Sequence, residues 1–138
     1  MRAQALNARQ RRIVAAAKLR DLLRRSGDAL GLPARASVVV RVTDDSELQD
    51  LNLRFLDLDE PTDVLAFPSD EPGRIGDIAI SVERAMEQAP SDASAELRVL
   101  AVHGLLHCLG HDHAEPAEAA RMTAATARLL PDQVVPRL

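Results

Sequence analysis

The spacing of apolar positions changes several times along the 138-residue chain, and each change marks a new element. "RAQAL" (2–6) reads as a short edge strand. Ile13, Ala16, Ala17, Leu19, Leu22 and Leu23 then recur at helical spacing with arginines between them. This predicts one amphipathic helix, stopped by Gly27 and by Gly31-Leu32-Pro33. "ASVVVRVT" (36–43) is rich in β-branched residues and reads as a buried strand. Leu48, Leu51 and Phe55 predict a helix through "SELQDLNLRF", capped by Thr43 or Asp44 and interrupted at "LDEPTD". "VLAFP" (64–68) and "DIAISV" (77–82) read as two further strands around the loop "SDEPGRIG", and Glu83 to Gln88 as a short helix.

The strongest helical signal comes late. Ser91 or Asp92 caps a long helix from about 93 to 109, and Gly110 suits the left-handed residue that closes it. Pro116 fits the first turn of a last helix, whose face is Ala119, Met122, Ala125 and Leu129 and which Pro131 stops. There is no internal repeat and no linker. The length suits one compact domain, 1–138, and is too short for two.

Composition narrows the setting. With 46% apolar and 28% charged residues the chain belongs with soluble globular proteins. Cys108 is the only cysteine, so an intrachain disulfide is impossible and a reducing cytoplasm fits best. "MRAQALNARQRR" lacks the apolar core of a signal peptide, and no stretch is long enough to span a membrane. The net charge is −4, but residues 1–41 carry ten Lys/Arg against two Asp/Glu. Such a segment is either a solvated helix face or a nucleic-acid contact. With no Trp or Tyr, and only Phe55 and Phe67, the sequence predicts that any such contact is mainly electrostatic.

All four histidines fall within "HGLLHCLGHDH" (103–113). His103 and His107, four apart, lie one above the other on a helix and can share one ion. Past Gly110 the chain can turn back so that His113 supplies a third nitrogen, leaving a fourth position open, as in catalytic zinc sites. The pattern is close to the H-E-x-x-H-x-x-G-x-x-H signature of zinc proteases, but Gly104 stands where their glutamate base would be. Glu96 is almost two turns upstream and does not replace it. Asp112 is a candidate for orienting an imidazole, and His111 is either a proton shuttle or an exposed loop residue. Cys108 points about 100° away from His107 on an ideal helix, which favours burial over ligation.

Three stretches together carry a family resemblance. "HGLLHCLGHDH" is similar to the H-G-x-L-H-L-x-G-x-D-H signature of the bacterial YbeY endoribonucleases. "LNLRFLDLDEPTDVLAFP" (51–68) and "IGDIAIS" (75–81) resemble that family's L-N-x-x-[YF]-R-x-x-D-x-P-T-D-V-L-S-F-P and L-G-D-I-x-I-S segments. The resemblance implies an α+β fold, with a small mixed sheet flanked by helices and a zincin-like three-histidine site at a helix end. It implies one zinc ion on His103, His107 and His113. It further implies single-strand-specific cleavage of RNA in rRNA maturation (the 16S 3′ end) and ribosome quality control, with small-subunit components rather than DNA as partners.

Two positions depart from the family pattern. Leu56 replaces the arginine after the aromatic residue, and Ala66 replaces a serine. Arg54 remains as a candidate phosphate contact, though it points about 200° away from position 56 on an ideal helix. Asp63, with Thr62, belongs to a turn that the resemblance places near the metal, and Asp77 shares its choice between a structural and a functional role. Arg54, Asp63 and His111 are thus the catalytic candidates, and the attacking group is either water or the RNA 2′-hydroxyl. Two rival readings are a zinc-stabilised ribosome-assembly module without activity and a metalloprotease, the second disfavoured by Gly104.

Overall fold

The computed structural model describes residues 6–136, so the strand expected at 2–6 lies outside the described residues except for Leu6. The elements run α1 (Ala8–Ala17), α2 (Leu19–Ala29), β1 (Ser37–Thr43), α3 (Asp45–Leu56), β2 (Val64–Pro68) and β3 (Arg74–Ser81). They continue with α4 (Val82–Gln88), α5 (Ala93–Cys108) and α6 (Pro116–Leu129). Among the described residues the sheet has three strands in the order β1-β3-β2, with β1 parallel and β2 antiparallel to β3. The expected α+β class with a small mixed sheet is what the structure has.

Helix α5 is the centre of the domain. Its sequence is apolar nearly all round, as a helix enclosed on every side must be. Leu97, Leu100, Ala101 and Leu105 pack on Ile78 and Ile80 of the sheet, with Ala17, Leu23, Val82 and Ala85 closing the cluster. Val99, Val102 and Leu106 pack on Leu22 and on Met122 and Ala125 of α6. Helix α3 covers the other face of the sheet, where Leu48 meets Leu65 and Ala79. The open cap choices resolve to carboxylates. Asp44 accepts from the Glu47 amide at 2.8 Å, and Asp92 accepts from the Ala95 amide at 3.1 Å.

Two expectations are corrected. The strand at 36–43 is half-buried rather than buried: Val38, Val40 and Val42 pack inward, while Val39 is 51% exposed. The single N-terminal helix is two helices, broken at Lys18, whose backbone is left-handed (φ 50°, ψ 51°). The break is invisible to periodicity because both helices present apolar residues at compatible phase. It is held by α5: Arg98 donates to the Ala17 carbonyl and Ser94 to the Ile13 carbonyl, both at 2.8 Å. Lys18→Gly is therefore expected to stabilise the protein by up to about 1 kcal/mol, by removing a left-handed Cβ. In a continuous helix it would cost about that much, so the sign of the change in urea unfolding distinguishes the two.

Candidate functional site

The histidines gather where α5 leaves the core. Asp92 starts the helix, and Gly110, left-handed at φ 99°, turns the chain out of it, with the His111 amide bonded back to the Leu106 carbonyl at 2.9 Å. His103 and His107 share one face of the last turns, and His113 follows on the exposed loop, its ring in edge contact with His107 at 5.4 Å between centroids. Among the described residues no three His, Cys, Asp or Glu side chains already converge on a common point.

The donor atoms have distinct states. His103 is 7% exposed, and its Nε2 is buried with no hydrogen-bond partner among the described residues. An orphaned buried nitrogen carries a desolvation cost unless something binds it. Burial, and then the neighbouring His107, push the His103 pKa from its ordinary 6.5 down to about 4, against the opposing charge of Asp63. The ring is neutral at pH 7, the form that binds metal. Burial also lowers the pKa of His107. Its Nδ1 lies 3.0 Å from the His111 carbonyl. A carbonyl only accepts, so Nδ1 carries the proton and Nε2 is left as a lone-pair donor, the arrangement that commonly orients metal-binding histidines. The two helical histidines therefore fit a metal ion.

The remaining candidates separate. His111 contributes its backbone carbonyl, while its side chain borders a hollow of about 250 Å³ with Asp112, Glu118 and Arg121. Asp112 accepts from the His113 amide at 2.7 Å and so shapes the loop that carries His113. Arg54 is exposed and pairs with Asp50 at 3.2 Å. Thr62 donates to the Val64 carbonyl at 3.3 Å, and Asp77 pairs with Arg74 at 2.7 Å, so both have structural partners. Cys108 points into the sheet: its sulfur would lie 2.8 Å from a Cβ on Gly76, and burial raises its pKa.

The charge of Asp63 acts on His103, and its carboxylate accepts from Gln88 at 3.2 Å. Burial, and then the charge of Asp63, raise the pKa of Glu96. A seven-residue step on a helix returns to nearly the same face, so the signal for Glu96 was its phase relative to His103 rather than its distance. A hollow of about 630 Å³ between α2 and β1 is lined by groups such as Leu23, Val38 and Val40 and contains no histidine. The histidines lie elsewhere, at and beyond the end of α5.

Gly104 has a steric reason. A Cβ there would stand 2.5 Å from Ile78 Cγ2, so α5 approaches β3 too closely for any side chain. The protease glutamate is sterically excluded from this position. Fold and site together define a small α+β protein with histidines at the end of a central helix and a glycine where a protease-type base would stand.

Residues 4–133 match the family model described as Endoribonuclease YbeY. The chain is 40% identical over 121 residues to Endoribonuclease YbeY of Chloroflexus aurantiacus, covering 77% of this chain and 79% of that protein. It is 40% identical over 122 residues to that of Salinispora tropica, covering 75% and 78%. Against Endoribonuclease YbeY of Mycobacterium tuberculosis it is 39% identical over 115 residues, 72% of this chain and 65% of that one. The chain belongs to the YbeY endoribonuclease family. The solution structure of TM1509 from Thermotoga maritima has the same fold, with TM-score 0.57 and 21% identity over 94% of this chain and 87% of that one. No helix among the described residues is long and apolar enough to cross a membrane.

Proposed function

We propose that this chain is a zinc-dependent endoribonuclease that cuts single-stranded ribosomal RNA in the cytoplasm, its ion held by His103, His107 and His113. The observation that carries the metal site is the buried, unpartnered Nε2 of His103 beside a His107 whose tautomer is set by the His111 carbonyl. A zinc ion on three imidazoles supplies a Lewis acid for a phosphoryl oxygen or an attacking water. The protein's own groups handle protons and position. Glu96, its carboxyl pKa raised, holds a proton more readily than an ordinary glutamate, and the charge of Asp63 acts on both Glu96 and His103. Arg54 is exposed on the α3 side, where it meets backbone phosphate rather than the reacting bond.

The test is cleavage of single-stranded RNA by purified protein, after chelation and after return of zinc, beside His107→Ala with metal content measured on both. Chelation and His107→Ala are each expected to reduce cleavage on the order of a hundredfold or more, with zinc restoring only the chelated wild type. Cleavage that survives zinc removal defeats the proposal. Binding of small-subunit RNA without cleavage under any divalent metal leaves the assembly-factor reading, which Leu56 favours.

A further inference from the structure

We propose that Phe55, braced by Phe67 and flanked by Arg54, is a stacking platform for an unpaired base of the RNA strand that reaches the α5 histidines. The inference rests on the endoribonuclease reading and adds to it the residue that receives a base. The chain has two aromatic residues in total, on different elements, which the sequence presents as too sparse for stacking. The fold brings them together, with ring centroids 5.5 Å apart and planes inclined by 59°. Phe67 is packed against the Leu48, Leu65 and Ala79 cluster beneath α3 and forms a fixed floor. Phe55 rests on it while remaining 60% exposed.

An exposed phenyl ring held rigid by a second ring presents a flat apolar face at little conformational cost. The Arg54 guanidinium lies over one side of the Phe55 ring, 5.5 Å from its centroid, and is held by Asp50, so a base would stack on the other side with a cation close by. An aromatic face beside a cation suits a nucleotide, whose base stacks and whose phosphate pairs. A purely apolar protein partner would leave the guanidinium buried against it with only Asp50 as counter-charge.

Position argues for the same occupant. Among the described residues β2 is the edge strand next to β3, and Phe67 projects from it toward α3. The Phe67 carbonyl lies on the α5 side, against Cys108, the neighbour of His107. The platform therefore lies on the α3 face of the edge strand, and α5, which carries the helical histidines, packs on the other face of the sheet. A single RNA strand that passes round the free edge of β2 reaches both faces.

Phe55→Trp places the only indole in the protein on the platform. With chelator present so that no strand is cut, its emission is expected to be quenched by single-stranded oligo(A) and unaffected by an abasic oligomer with the same number of phosphates. In steady-state cleavage, Phe55→Ala is expected to raise KM on the order of tenfold, with kcat near that of wild type and Phe55→Tyr restoring KM. Equal responses to the two oligomers, or none, overturn the platform. So does an unchanged KM in Phe55→Ala while wild type cleaves, or emission that changes with protein concentration rather than RNA, which would mean that a second copy covers the ring. If wild type cleaves nothing, the cleavage proposal fails and the quenching experiment still decides the platform.

Discussion

Gly104→Glu is expected to prevent folding, and Gly104→Ala to destabilise the protein by about 1–3 kcal/mol. Two opposing effects meet at this position. In a helix interior, replacing glycine by alanine gains up to about 1 kcal/mol from backbone propensity. Here the new methyl would lie 2.5 Å from Ile78 Cγ2 and 3.2 Å from both Cγ1 and Cδ1 of the same side chain. Ile78 is 1% exposed and enclosed by the main cluster, so it has nowhere to withdraw, and overpacking outweighs propensity. Glutamate adds a carboxylate that would enter the same packed contact without a partner, a further cost of several kcal/mol. Urea unfolding measures the alanine variant. Combining it with Ile78→Ala, which removes the opposing atoms, should cost less than the sum of the single changes. A stabilised Gly104→Ala would show that helix and sheet are not in contact there. The result bears on function because a metalloprotease base cannot be restored by substitution at this site.

The parts of this architecture legible in the sequence are those governed by local rules. The helix starts at 43–44 and 91–92, the turn at Gly110, and the i, i+4 pairing of His103 with His107 depend on residues within a few positions of one another, though the choice of Asp44 over Thr43 and Asp92 over Ser91 came from the fold. What escaped depends on contacts between distant segments. Lys18 breaks the first helix because Arg98 and Ser94, some eighty residues later, take up carbonyls of α1. The valine run of β1 concealed its alternation, since Val39 is apolar yet faces outward. Glu96 was discounted by distance although its helical phase matches His103, and only the fold brings Asp63 beside both. Phe55 and Phe67 gained significance only when α3 was laid over β2. Gly104 was legible as a missing base, but its cause, Ile78 on a neighbouring strand, was not.

Metal-free protein is expected to lose stability on the order of 3 kcal/mol through His103 as pH falls from 6.5 to about 4. In the unfolded chain this imidazole takes up a proton near its ordinary 6.5, whereas the folded site resists until about 4. Between these values the unfolded state binds more protons, so stability declines with falling pH. Above the window both states are neutral and no penalty applies. Below it the loss levels off. His107, also lowered by burial, contributes with the same sign, and Glu96, raised by burial and Asp63, contributes with the opposite sign. Urea unfolding of the chelated protein at several pH values, repeated with His103→Gln, isolates the histidine: the variant should lack most of the acid-side decline. A bound zinc ion competes with the same protons, so metal affinity should fall through this window as well. Equal pH dependence in wild type and His103→Gln would mean that His103 titrates normally and is open to water, which would also remove the buried, unpartnered nitrogen on which the metal assignment rests.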